Sequence, residues 1–320
     1  MTELPLDQAR TLLAAVDEGS FDGAAAALNV TPSAISQRVK ALEQRVGRVL
    51  LTRTKPIALT DSGEVLVRYA RQLLRLEADA AAELGLGSDQ VSTTLAVAVN
   101  ADSLSTWFLD ALERVPASLR VGFELLREDE SRTADLLRRG RVAAAVTADA
   151  HAVTGCRVER LGVMRYRASA SPAFVERWLA GGPIEQTLPA APMMVFDRND
   201  DLQNAFLREL TAGRSGGRGG PAVAPGTAPA ADDPHGGRIR HLVPTSEGFL
   251  SAVARGLGWG MIPDEQAALL PAGTLVDLAP GRLVEVPLYW QQWRLDSPAL
   301  KALSDAVLAA AREFGRKLAR

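Results

Sequence analysis

The chain has 320 residues, 47% hydrophobic and 23% charged, which is enough for two or three compact units and too apolar for a disordered protein. A formal net charge of -2 argues against a uniformly basic surface, and a single cysteine, Cys156, with three histidines, His151, His235 and His241, leaves too few ligands for a disulfide framework or a zinc cluster. No apolar run approaches the roughly 20 residues of a membrane span and MTELPLDQAR lacks a signal-peptide layout, so a cytoplasmic protein with no membrane partner, no metal and no cofactor is expected.

In chain order, Leu6, Ala9, Leu12, Leu13 and Val16 recur at helical spacing, and Gly19 follows as a left-handed terminator. Asp22 is placed to cap a short alanine-rich helix, Gly23 to Leu28. Asn29-Val30-Thr31 then makes a tight connection, with Thr31 as N-cap, Pro32 at the first helical position and Val30 stapled to Ile35. On the helix that follows, Ile35, Val39, Leu42 and Val46 form a buried seam. Ser33, Gln37, Lys40 and Gln44 lie opposite, with Ser36 at their edge and Arg38 and Arg45 on a flank.

The near-neutral whole-chain charge hides a patch. From Thr31 to Thr60 six basic residues (Arg38, Lys40, Arg45, Arg48, Arg53, Lys55) face one acid, Glu43, whereas the next thirty residues hold three arginines against six acids. A polar face flanked by cations can read base edges while the cations meet phosphates; the bland alternative is a solvated helix face. Two preceding helices, a tight turn and the local charge favour a helix-turn-helix. VLLTRTKPIALT reads as a two-stranded wing with Arg53 and Lys55 near its tip, or else as an ordinary hairpin. Thr60 caps a helix over about 61–85, along which Leu66, Tyr69, Leu73, Leu76, Ala80 and Leu84 form a narrow stripe suited to a dimer seam.

AAAALNVTPSAISQRVKALEQRVG, the wing and LTDSGEVLVRYA together resemble the winged helix-turn-helix and linker helix of LysR-type transcriptional regulators. The resemblance implies DNA contacts from Thr31, Ser33, Ser36, Gln37, Arg38, Lys40, Arg53 and Lys55. One departure is Pro32-Ser33, where many members carry Gln-Pro, so the base contact often assigned to that glutamine has no counterpart here.

Downstream, TLAVAVN, LRVGFELL, VAAAVT, MMVFD, HLVPT, GMIP and LVEVPLYWQQW read as strands, most of them followed by amphipathic helices, so an α/β unit with parallel crossovers is expected. The helix DSLSTWFLDALERV offers Asp102 or Ser103 as cap. Leu300, Leu303, Val307, Phe314 and Leu318 place the last helix on a core. Residues 211–237, TAGRSGGRGGPAVAPGTAPAADDPHGG, interrupt the pattern as a surface insertion; Arg214 and Arg218 there fit an inert loop better than a secondary anion site.

The family resemblance implies a regulatory region like periplasmic binding proteins, with two α/β subdomains around an effector cleft. The expected layout is 1–60 winged helix-turn-helix, 61–90 linker and dimerisation helix, and 91–320 effector-binding domain. Subdomain I spans about 91–161 and 269–320, and subdomain II about 162–268. Loops after strands supply the candidate lining: Asn100, Asp102, Ser103, Glu128, Asp129, Glu130, Thr147, Asp197, Asp201, Ser246 and Glu247. Each acid taken singly also fits a capping or solvated role, but their concentration at strand ends favours a zwitterion with an extra positive charge.

AVNADSLSTWFLDAL, EDESRTADLLRRG, MVFDRNDDLQNAFL and MIPDEQAALLPAGTLVDLAPG are similar to the lysine/arginine-responsive branch of the family. That implies an activator sensing lysine or arginine and controlling an exporter gene for basic amino acids. Its partners would be double-stranded promoter DNA, a second copy or a tetramer, and RNA polymerase. An enzyme is disfavoured: no G-x-S-x-G elbow is present, and Gly256, Gly258 and Gly260 follow a helix and precede a strand, the reverse of a dinucleotide loop. The remaining rivals are the same fold tuned to another effector, and a nucleoid or replication-origin binder of low sequence preference.

Overall fold

The computed structural model describes residues 4–52, 54–84, 93–127, 130–212 and 239–318. The expectations placed on Arg53, Glu128, Asp129 and nearly all of the 211–237 insertion lie outside these residues.

Helices α1 (Leu6–Asp17), α2 (Phe21–Leu28) and α3 (Pro32–Val46) close around Leu12, Ile35 and Leu42, which are buried. Asn29, left-handed at φ 52°, ends α2. Thr31 Oγ1 accepts the Ala34 N–H at 3.2 Å and starts α3, as the sequence predicts. At α2 the cap is Ser20 rather than Asp22. Ser20 has the extended backbone that a cap requires and accepts the Gly23 N–H at 3.0 Å, whereas Asp22 is already inside the first turn. Strands β1 (Leu51–Thr52) and β2 (Ala58–Leu59) pair antiparallel as a short wing. Helix α4 (Asp61–Glu83) begins where Thr60 Oγ1 accepts the Gly63 N–H at 3.1 Å. It lies directly on the wing, since a Cβ on Gly63 would fall 2.0 Å from the Leu50 carbonyl oxygen. Leu66 turns toward the three-helix core, and Val65 joins Tyr69, Leu76 and Leu84 on the exposed stripe. The outward seam therefore begins one residue earlier than the expected one.

Beyond α4, β3 (Thr93–Val99) lies parallel to both β4 (Val121–Arg127) and β5 (Ala144–Thr147). The chain passes from β3 to β4 through α5 (Ala101–Ser103), a π-helical stretch Leu104–Phe108 and α6 (Leu109–Glu113), and from β4 to β5 through α7 (Glu130–Arg138). Then comes β6 (Cys156–Ala170), a strand absent from the expected pattern. Most of its length pairs antiparallel with β11 (Val284–Trp293), and its final residues pair with β9 (Gly260–Pro263) and β10 (Val276–Asp277). Parallel crossovers thus describe β3 to β5 but not the whole sheet, because the chain returns through antiparallel strands. Around β6 are α8 (Pro172–Trp178), α9 (Ile184–Thr187), the parallel pair β7 (Met193–Val195) and β8 (Arg240–Leu242), and helices α10 (Leu202–Ala212), α11 (Ser246–Ala254) and α12 (Asp264–Ala267). Helix α13 (Pro298–Leu318) buries Leu300, Leu303 and Val307 on the main core, and Ser304 Oγ accepts the Trp290 indole N–H at 3.1 Å.

The winged-helix unit and the larger domain meet at a charged waist. Asp17 of α1 is paired with Arg71 of α4 and, at 3.2 Å, with Arg141 just before β5. Arg139 reaches Glu64 at 2.9 Å, and Arg71 Nη1 also donates to the Arg139 carbonyl at 3.2 Å. Between them Gly140, at φ 68°, abuts α4. A Cβ there would lie 3.0 Å from the Arg68 Cα. Burial pulls the Arg71 guanidinium below its ordinary pKa and the charge of Asp17 opposes that shift.

Candidate functional site

Two polar regions stand out. The first is the exposed side of α3. Thr31, Ser33, Gln37 and Lys40 are exposed and Ser36 and Arg38 half-buried, because Ile35, Val39 and Leu42 are drawn into the core behind them. The hydroxyls of Thr31 and Ser33 lie 2.9 Å apart. Lys55 is exposed at the wing turn. The one acid of this stretch does not neutralise the face: Glu43 Oε1 is occupied by the Leu50 N–H at 2.8 Å, where it anchors the start of the wing.

The second region centres on Asp102, at the start of α5. Its Oδ2 accepts the Tyr166 hydroxyl at 2.8 Å; its Oδ1 accepts the Ser246 hydroxyl at 2.7 Å and the Gln266 amide at 3.1 Å. Gln266 Nε2 also donates to Ser105 Oγ at 2.9 Å. Asp102 follows β3, Ser246 opens α11 beyond β8, Gln266 lies on α12, and Tyr166 stands on β6 where its pairing passes from β11 to β9. The carboxylate is therefore held by neutral donors from three separate parts of the domain. Beside it, the Oγ of the fully buried Ser103 and the Oδ1 of Asn100 lack hydrogen-bond partners, as do both buried carboxylate oxygens of Glu265. Buried polar atoms are seldom left unsatisfied, so this concentration makes the cluster the candidate binding place of the domain. Burial raises the pKa of Glu265, and the charges of Asp264 and Asp102 raise it further.

Of the residues singled out in the sequence, Asn100, Asp102, Ser103 and Ser246 fall at this cluster. Thr147, buried at the end of β5, accepts the Asp149 N–H at 3.1 Å. Glu130 opens α7. Three others do not join the network. Asp197 accepts the N–H groups of Asn199 and Asp200 at 2.7 and 3.1 Å in a tight turn, Asp201 pairs with Arg208, and Glu247 is exposed. Tyr166, Glu265, Gln266 and Ser105 are additions from the structure. The PDEQA segment carries two of them, but its acids read equally well as an ordinary helix start. Among the described residues no group of three or more His, Cys, Asp or Glu side chains is placed to hold a metal ion, and no helix is long and apolar enough to cross a membrane.

Residues 6–64 match the family described as bacterial regulatory helix-turn-helix protein, lysR family, and residues 88–312 match the LysR substrate binding domain. The lysine export transcriptional regulatory protein LysG of Corynebacterium glutamicum is 44% identical over 316 residues, 98% of this chain and 99% of that protein. The structure of full-length LysG from that organism with bound effector Arg superposes with a TM-score of 0.75 at 42% identity, covering 97% of this chain and 99% of that one. The crystal structure of ArgP from Mycobacterium tuberculosis gives a TM-score of 0.80 at 41% identity, covering 97% and 98%.

Proposed function

The chain belongs to the LysR family of bacterial transcriptional regulators, and from that premise we propose that it is an activator that senses lysine or arginine and controls an exporter gene for basic amino acids. The observation that carries the reading is the Asp102 carboxylate, held in place by three neutral donors and no cation. A basic amino acid brings the missing positive charge, and the likeness to an arginine-bound relative supports that choice. The hydroxyl of Ser103 has no partner, and that of Ser246, whose proton goes to Asp102, can still accept a hydrogen bond.

In this reading α3 enters the major groove with Ser33, Ser36, Gln37 and Lys40 toward base edges, while Thr31, Arg38, Arg53 and Lys55 meet the backbone. Val65, Tyr69, Leu76 and Leu84 supply an exposed apolar stripe for a second copy, which repeats the reading helix across a two-fold site. RNA polymerase is the further partner of an activator. The ligand acts by binding one arrangement of the protein more tightly than another.

Titration calorimetry with arginine and lysine, combined with footprinting on the promoter of a basic amino acid exporter gene from the same genome, tests the proposal. Saturable binding and a ligand-dependent change in a discrete footprint are expected. Absence of binding by either amino acid rejects the sensor assignment, and uniform coverage of DNA rejects promoter recognition. Gln37→Ala and Lys40→Ala should each weaken specific DNA binding by about 1–3 kcal/mol while leaving the oligomer intact. Gel shifts and sedimentation check that pair.

A further inference from the structure

Glu265 lies one residue before the Gln266 whose amide clasps Asp102, and the charge of Asp102 acts on it, so α12 brings a second carboxylate near the first. Both of its oxygens are buried without a hydrogen-bond partner. The cations of the neighbouring strand β6 are already committed. Arg165 is paired with Glu285 at 3.2 Å, and Arg167 is shared between Asp264 at 2.7 Å and Asp277 at 3.2 Å. What remains near Glu265 is the favourable pull of its own backbone N–H, the negative charge of Asp264 and Asp102, and a weaker attraction from Arg165. A carboxylate in this position is costly unless a cation arrives. The partnerless Oγ of Ser103, fully buried and following Asp102 directly in the chain, is an independent sign of a ligand site at this end of α5.

We propose that Glu265 is the specificity-determining anion of the cleft: it and Asp102 each take one of the two positive charges of a basic amino acid, so that a neutral isostere leaves one carboxylate unpaired. The inference rests on the reading of the cleft as a sensor of basic amino acids, and it assigns the discrimination within that class to one residue. Burial and the neighbouring acids raise the pKa of Glu265 and a bound cation lowers it, so binding releases protons wherever the pH lies between the two values.

The test uses the purified full chain with arginine and with citrulline, its uncharged isostere. Calorimetry near pH 5 in two buffers of different ionisation enthalpy counts the protons exchanged. The natural protein is expected to prefer arginine and to release protons on binding it. In Glu265→Gln, arginine affinity should fall roughly 10- to 100-fold, citrulline should lose far less, and proton release should disappear. Glu265→Asp, which keeps the charge, should retain the preference for arginine. If the natural protein binds arginine and Glu265→Gln keeps the same preference and proton count, the assignment of Glu265 is wrong while the sensor reading stands. If the natural protein binds neither arginine nor lysine, both are wrong.

Discussion

The waist and the cleft are both built from acids and arginines, yet they balance their charges in opposite ways. At the waist Asp17 faces Arg71 and Arg141, and Glu64 faces Arg139, so the carboxylates there meet guanidinium groups of the same chain. In the cleft Asp102 is held by uncharged donors and the Glu265 oxygens have no partner. Charge compensated within the fold secures one unit against the other. Charge left uncompensated is poised for a ligand, and it costs stability until the ligand comes.

That contrast can be broken by substitution. Asp102→Asn keeps the shape and removes the charge, and arginine binding should weaken by about 3 kcal/mol, roughly a 100-fold loss in calorimetry. Gly140→Ala attacks the waist through its backbone: the left-handed conformation and the nearness of the Arg68 Cα should together cost about 2 kcal/mol in denaturant unfolding. Asp17→Ala removes the shared acid. With Asp17 itself 40% exposed, the cost should be only about 1 kcal/mol and should shrink in high salt. A last effect, of about the same size, has the opposite sign. Glu265→Gln should stabilise the empty protein by about 1 kcal/mol at neutral pH, because it removes the charge of a half-buried acid whose oxygens are buried and unsatisfied.

The pH dependence of that last gain follows from the raised pKa of Glu265. In acid, below the ordinary carboxylate range, the group is protonated whether the chain is folded or not, and the variant has no advantage. As pH rises through the raised folded value, the natural protein loses stability that the variant keeps. Melting curves at about pH 3 and at pH 7 should therefore coincide at the lower pH and separate at the higher. Equal separation at both would mean that the effect is packing, not charge.

The two polar regions also differ in how far they can be read without a structure. The α3 face is written within about fifteen residues: a cap at Thr31, a proline, and an apolar seam at 35, 39 and 42 that dictates what points outward. Even there, Ser20 displaces Asp22 as the preceding cap, since caps depend on backbone conformation and both residue types qualify. The cleft joins Asp102 to residues 64, 144 and 164 positions away. Its central strand β6 is hard to recognise because alternation is clear only from Met164 onward; the first half carries two arginines, Arg157 and Arg160, on exposed positions. Tyr166 consequently had no predicted element to stand on. Loop positions after β3 and β8 could be marked as candidates, but nothing local distinguishes Ser246, which reaches Asp102, from its exposed neighbour Glu247.

The π-helical stretch Leu104–Phe108 sits between the cleft and the core. Just before it and at its start, Asp102 and Ser105 both meet Gln266; at its end and just after, Trp107, Phe108 and Ala111 are buried. A π turn holds one residue more than the α turn it replaces, so it works as a phase adjuster between two gears. Deleting Thr106 would restore an ordinary helix and rotate everything beyond it by about 100°. The segment could then mesh with Gln266 or with the tryptophan layer, but no longer with both.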